Sequence, residues 1–410
     1  MTELTTVIHD ANEIVVGPGT DAPLERYENA AIAVTDGHVT AIGPTEEITD
    51  EYPAANATHA IDASGKTVIP GFVDSHTHGL FAGDRSDEFA AKLGGEQYQD
   101  ILAEGGGILR TVNAVREASD DELLANLLPH LDMMCAHGTT TVEIKSGYGL
   151  DTETELRMLD VIRRADEQHP IDVVPTFMGA HAVPEDEDAE TYTDRVVDDQ
   201  LPAVADQGIA EFCDVFCEED VFSVAQSRRV LEAGMEHGLT PKVHAEEFVR
   251  LGGAQLAAEL GATSADHLLH ANADDRAALA EADVTPVLLP GTAFSLGADY
   301  ADARAFLDEG GSVAVATDFN PNCHSQSMGF AIALACVGME MTPAEALIAG
   351  THGGARALDR AGEAGTLREG MPADVAIVDA PSHVHVPYNF GVNTVVTVLK
   401  GGEPVSGGQR

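Results

Sequence analysis

Between residues 68 and 316, short apolar runs of strand length alternate with longer stretches whose apolar residues recur at helical spacing, and this alternation constrains the fold most. The strand candidates are an opening run from Val68 toward His78, then Thr139 to Ile144, Asp172 to Phe177, Glu211 to Phe216, Pro241 to His244, Ser264 to His267, Val284 to Leu289 and Val313 to Ala316. Helical patterns fit between them at Glu153 to Glu167, Val224 to His237, Ala254 to Leu260, Asp274 to Ala282 and Tyr300 to Glu309. Strands joined through helices pair in parallel, and eight such units predict an α/β fold of the (β/α)8 TIM barrel type. Functional residues of that architecture sit at the C-terminal ends of its strands.

The two chain ends read differently. Residues 1 to about 65 hold short alternating strands, including 30–34 and 39–42 around an Asp36-Gly37 hairpin turn. After about residue 365 the pattern returns at Gly365-Thr-Leu, 373–378 and 395–399. The ends are expected to pair into one small composite β-sandwich, giving 1–65 and 365–410 as its halves and 66–364 as the barrel. A chain of 410 residues is long enough for both.

Composition narrows the setting. The formal net charge is -47, which argues against nucleic acid and anionic membrane as partners. The acids are interleaved with apolar periodic segments, so the charge does not signal disorder. Lysine is confined to Lys66, Lys92, Lys145, Lys242 and Lys400. An acidic, lysine-poor folded surface points to concentrated salt, where the Debye length shrinks to roughly 3 Å at 1 M. The cysteines, Cys135, Cys213, Cys217, Cys323 and Cys336, show no metal-knuckle spacing and are expected as reduced thiols. No apolar run reaches about 18 residues and no leader pattern opens the chain. A cytoplasmic enzyme without membrane contact is therefore expected, as a homodimer.

The expected strand ends carry the chemistry. His76 and His78 lie two apart in an extended segment and so point to one side, where both can reach one metal ion. The second strand ends in 145–148, the third in His181, the fourth in Cys217-Glu218, the fifth in His244 with Glu247 close behind, the sixth in His267 and the eighth in Asp318. His76, His78, His244 and Asp318 form a three-nitrogen, one-oxygen shell for a divalent metal, zinc or iron, with an open position for water. Such a metal lowers the pKa of bound water from about 15.7 toward 7. Hydrolysis then needs an acid/base pair, for which Glu247, His267 and Asp318 are candidate catalytic residues. Glu247 could instead be a solvated helix-start residue, and His267 a further imidazole ligand. The fourth strand offers no lysine to bridge a second metal, so one ion per subunit is expected. The long connection from Gly79 to about Arg110, with Arg85 and Gly105-Gly-Gly107, suits a loop that covers substrate.

These stretches resemble the imidazolonepropionase family of the amidohydrolase superfamily over nearly the whole chain. The likeness is carried by Pro-Gly-Phe-Val-Asp-Ser-His-Thr-His (70–78), Phe-Ala-Gly-Asp-Arg-Ser-Asp-Glu-Phe (81–89), Glu-Ile-Lys-Ser-Gly-Tyr-Gly-Leu (143–150) and Pro-Thr-Phe-Met-Gly-Ala-His (175–181). It continues in Lys-Val-His-Ala-Glu-Glu (242–247), Ser-Ala-Asp-His-Leu (264–268) and Ala-Thr-Asp-Phe-Asn-Pro (316–321). The resemblance implies hydrolytic opening of 4-imidazolone-5-propanoate to N-formimidoyl-L-glutamate, the third step of histidine breakdown, with zinc or iron. It implies His76, His78, His244 and Asp318 as ligands, and Arg85, Tyr148, His181, Glu247 and Asn320 as substrate contacts. Asn322 and Cys323 would also contact substrate, although the family has glycine and a small hydroxyl residue there. Two rivals remain: another cyclic-amide or deaminating activity, which Arg85 disfavours because a guanidinium suits a carboxylate substrate, and a barrel that only binds. Arg85 could alternatively pair with Asp84 or Asp87.

Overall fold

The computed structural model describes residues 4–20, 22–95 and 106–407. The long connection is therefore described on both flanks, while 96–105, including Gly105, lies outside the described residues.

The ends build one sheet. Its strands are β1 (Leu4–Pro18), β2 (Leu24–Thr35), β3 (His38–Pro44), β4 (His59–Asp62) and β5 (Thr67–Pro70). The C-terminal strands that join it are residues 375–378, 395–400 and 403–407, in the order 403–407, 395–400, 375–378, β5, β1, β2, β3, with β4 on β1. The expected hairpin turn is present: Asp36 and Gly37 both have positive φ, 50° and 82°, as a primed two-residue turn requires. Ile8, Ile14, Ile32 and Val39 pack in one core with Val68, Val375, Ile377 and Leu399. Strands from both chain ends thus share one interior, and the pairing of the long β1 and β2 is interrupted by bulges.

The barrel strands follow in sequence order: β6 (Phe72–Asp74), β7 (Thr139–Lys145), β8 (Asp172–Ala180), β9 (Phe212–Cys217), β10 (Thr240–Ala245), β11 (Ser264–His267), β12 (Thr285–Leu288) and β13 (Ala314–Val315). They form one eight-stranded sheet whose neighbours are all parallel. Just beyond the strand ends, the Asp318 N–H donates to His76 O (3.1 Å) and the His78 N–H to Phe319 O (2.9 Å), so first and last strands meet.

The opening run departs from the expectation of a single strand. Thr67–Pro70 pairs with β1 and with residues 375–378 of the end sheet, and only Phe72–Asp74 enters the barrel. The switch falls at Gly71, whose N–H donates to Asp374 O while the next N–H, on Phe72, donates to Gly138 O. A Cβ on Gly71 would lie 2.2 Å from Thr140 Oγ1, so glycine alone fits this crossing.

The helices start where side chains cap them. Asp151 caps Thr152–Asp166, and Ser223 with Gln226 forms a capping box on Val224–Glu236. The expected helix from Tyr300 is shorter, Ala303–Asp308, because Asp302 accepts the Ala305 N–H and sets the start there.

Candidate metal centre

His76 and His78 lie just past β6, in chain kept extended by a bridge between Thr77 and Phe319. His244 is the penultimate residue of β10, and its ring centroid lies 4.4 Å from that of His76. The Nε2 atoms of His78 and His244 are 3.3 Å apart. Asp318, beyond β13, places Oδ1 3.5 Å from His76 Nε2 and 3.7 Å from His78 Nε2. All four side chains are buried, and His76 Nε2 and Asp318 Oδ1 have no hydrogen-bond partner. Each unsatisfied buried polar atom costs about 1–3 kcal/mol. Three nitrogens and one carboxylate oxygen converging in this way fit a single divalent metal ion.

Carboxylates face the outward nitrogens. His76 Nδ1 lies 2.6 Å from Asp266 Oδ2, and His244 Nδ1 3.0 Å from Asp214 Oδ2. The hydrogen bond to Asp266 holds the His76 proton on Nδ1 and leaves Nε2 free to ligate, whereas the His244–Asp214 approach is close but lacks hydrogen-bond geometry. Lys145 Nζ sits 2.7 Å from both Asp214 Oδ2 and Glu143 Oε2, and Lys242 Nζ 3.1 Å from Glu143 Oε1. Thr292 donates to Asp318 Oδ2 and holds that carboxylate from the other side. Sequence reasoning missed this supporting layer. Its signal was present: Glu143, Lys145 and Lys242 are charged residues inside strand-like runs, and Lys242 is in phase with His244.

Burial governs the charge states. It holds the pKa values of His76, His78 and His267 well below the ordinary imidazole range, with Lys145 and neighbouring imidazoles adding to the effect. Neutral imidazole is the form that ligates. Burial pushes Glu247 well above the usual carboxylate range, reinforced by Asp318 and Glu218. Asp214 moves the other way: burial alone would raise it, but His244 and Lys145 outweigh that and hold it ionised.

His267 Nε2 is 3.5 Å from Glu247 Oε2. His267 also groups with His76 and Asp318, their ligating atoms within 4.8 Å of one another. Glu246, His267 and Asp318 adopt left-handed φ values of 56°, 77° and 50° at these strand ends. Such strain, of order 1–3 kcal/mol each, is characteristic of functional positions. Glu246 is the structural member of its pair, accepting the N–H groups of Leu251, Gly252 and Ala254, while Glu247 is the one at His267.

Other expected contacts fall in two groups. His181 stacks on His78 at 4.7 Å, and Tyr148 lies 5.3 Å from His181. Burial, with His244, lowers the His181 pKa to about 3. Arg85 donates through Nε and Nη2 to Glu88 Oε2 at 2.9 and 2.8 Å. Its partner is thus neither Asp84, which accepts from Ser86, nor Asp87, which pairs with Arg110. Burial, with Asp318, pushes the Tyr148 phenol well up and keeps it neutral, and Arg85 is near enough for its charge to oppose that rise. Asn320 is engaged within its own turn: Oδ1 accepts the N–H groups of Asn322 (2.7 Å) and Cys323 (3.0 Å), and Nδ2 donates to Asp318 O. The Cys323 thiol is buried against Thr317 O, and Asn322 Oδ1 accepts from Lys92 Nζ at 2.6 Å.

The model of the amidohydrolase family matches residues 67–405, and that of an imidazolonepropionase-like composite domain from bacteria matches residues 30–55. Solved structures share the architecture: a zinc-bound adenosine deaminase from Xanthomonas campestris aligns with TM-score 0.74 at 18% identity, covering 99% of this chain and 94% of that one. An A. niger ochratoxinase aligns with TM-score 0.73 at 18% identity, covering 99% and 96%. At those identities the likeness shows the fold. The family match over most of the chain, with the shared fold, places it among the amidohydrolases. The imidazolonepropionase of Haloarcula marismortui is 69% identical over 99% of this chain and 97% of its own, and that of Halobacterium salinarum 64% identical over 100% and 99%. The Alkaliphilus metalliredigens protein of that name is 46% identical over 97% of each. Within the amidohydrolases, the chain belongs to the imidazolonepropionase family.

Proposed function

We propose that this enzyme opens the ring of 4-imidazolone-5-propanoate with water to give N-formimidoyl-L-glutamate, the third step of histidine degradation. The observation that carries the mechanism is the convergence of His76, His78, His244 and Asp318, with His76 Nε2 and Asp318 Oδ1 left unpartnered, beside the Glu247–His267 pair. These four residues would hold one zinc or iron ion per subunit. When bound, that ion acidifies a water and polarises the ring carbonyl.

The chain's own residues supply the rest. Water oxygen joins the carbonyl carbon, the bond from that carbon to the ring nitrogen breaks, and one water proton ends on the nitrogen. Burial favours the protonated form of Glu247 and the neutral form of His267, which is in contact with it. The pair carries the proton between the water and the departing nitrogen. Tyr148 and His181 wall the ring, and Arg85 attracts the propionate; Asn320, Asn322 and Cys323 shape the turn that carries Asp318. An anionic substrate accounts for a guanidinium at this site better than a neutral heterocycle does.

Among the described residues no helix is long and apolar enough to cross a membrane, and a cytoplasmic homodimer is the setting inferred. Phe294, Val337, Tyr388, Phe390 and Val392 stand exposed and would be covered by a second copy; light scattering in molar salt tests it. The activity is tested by incubating metal-loaded protein with freshly generated imidazolone propionate. Formimidoyl-glutamate is the expected product by mass spectrometry, and unchanged substrate overturns the reading.

A further inference from the structure

Resting on that substrate, we infer that Lys92 determines specificity by holding the propionate carboxylate together with Arg85. Arg85, Glu88 and Lys92 are spaced three and four apart and so share one face of the helix Ser86–Leu93. Glu88 on that face is buried while the adjacent Phe89 is 53% exposed, so the face turns inward.

On this face the charges do not balance as the family resemblance alone would suggest. Glu88 Oε2 takes two bonds from Arg85, and its Oε1 accepts the Gly107 N–H at 3.0 Å. Arg85 and Glu88 therefore form an ion pair, with Arg110 Nη1 3.6 Å from Glu88 Oε1, and a carboxylate arriving there shares Arg85 with Glu88. Lys92 supplies a further positive charge, offset in part by Glu88 at longer range. Its ammonium donates to a neutral amide oxygen, Asn322 Oδ1, at 2.6 Å. Among the described residues no carboxylate forms an ion pair with it. Lys145, Lys242 and Lys400 are each paired with carboxylates, and Lys66 reaches only a backbone oxygen on the surface.

Placement brings this charge to the site. Asn322 donates its N–H to Asn320, which in turn donates to the carbonyl of Asp318, so Lys92 is tied by three hydrogen bonds to the backbone of a ligand residue. Asn322 stands where the resembled family has glycine, and its side chain provides the link. Burial and the nearby Arg85 disfavour the charged lysine while Glu88 opposes them, and an incoming carboxylate relieves the repulsion that remains.

The test compares wild type, Lys92→Met and Lys92→Arg in molar salt, on 4-imidazolone-5-propanoate and on its propionamide counterpart. Lys92→Met is expected to raise KM for the carboxylate substrate by about tenfold, with kcat and metal content unchanged. Turnover of the propionamide stays unchanged, and Lys92→Arg restores most of the affinity. Should the Met variant not fold, Lys92→Gln carries the same measurement. Equal loss on both substrates, which a merely bracing lysine would produce, overturns the proposal, as does no loss on either. Those results leave wild-type turnover standing; only wild-type protein that fails to open the ring overturns the proposed function itself.

Discussion

His76 and His244 each face two ways, one nitrogen toward the centre and the other toward a buried carboxylate, and this division sets what single substitutions should do. Removing a ligand leaves too few donors, so His78→Ala and His244→Ala are expected to lose both bound metal and turnover while circular dichroism shows the fold retained. Stoichiometric metal in both variants would refute the assigned set. Asp266→Asn is subtler. The amide presents an N–H to His76 Nδ1, which favours the tautomer protonated on Nε2 and removes its lone pair from the centre. Metal affinity, read by chelator competition, should fall by about 10–100-fold, and an unchanged affinity would show that His76 does not depend on this contact. Arg85→Met should lower kcat/KM at least about tenfold with metal content unchanged, since bonds to a charged group are worth roughly 1.5–3 kcal/mol. If Arg85→Met works normally, the propionate is held elsewhere.

Helices around the barrel are fastened by caps whose charge states give a measurable pH window. Glu345 closes the capping box of the helix Pro343–Ile348 and accepts both Nη atoms of Arg304, at 3.0 and 2.6 Å. The Arg304 bonds, with help from the Thr342 N–H, lower its pKa from 4.5 to about 2. A depressed folded value means stability present above the unfolded pKa and lost as pH falls toward 2. Glu345→Gln is therefore expected to lower Tm at neutral pH by the equivalent of about 1 kcal/mol, and the gap to wild type should close between pH 4.5 and 2. A gap that persists at pH 2 would assign the loss to packing instead. These elements also show what local sequence can convey. Barrel strands and the histidines and aspartate at their ends were legible because two-residue and helical periodicities are local properties. The split of the opening run at Gly71 was not, since β5 is claimed by a strand some 300 residues later. Nor was the pairing of Asp214 with His244 or Asp266 with His76, because a charged residue in a strand-like run does not name its partner. The turn chemistry of Asn320 and the pairing of Arg85 with Glu88 likewise depend on backbone geometry that motif spacing leaves open.

At the scale of the whole molecule, a net charge of -47 sets a condition on all of this. Surface arginines are already engaged: Arg163 pairs with Asp160 and Glu167, Arg229 with Glu190 and Asp194, and Arg304 with Glu345. With 69 acidic residues against 22 lysines and arginines, most exposed carboxylates have no cation to meet. Their mutual repulsion favours expansion of the chain, and only dissolved ions can screen it. The Debye length grows from roughly 3 Å in 1 M salt to about 30 Å at 0.01 M, so each carboxylate then feels neighbours across a large part of the surface. The buried network of Glu143, Lys145, Lys242, Asp214 and Asp266 is shielded from solvent ions and should respond far less. Lowering salt is therefore expected to lower Tm progressively, while the site stays intact in whatever fraction remains folded. Two measurements in parallel check this: melting temperature from molar to millimolar salt, and metal content per folded molecule over the same range. A constant melting temperature would refute salt adaptation without touching the assigned chemistry, whereas metal lost before unfolding would show that the buried charges feel the solvent after all.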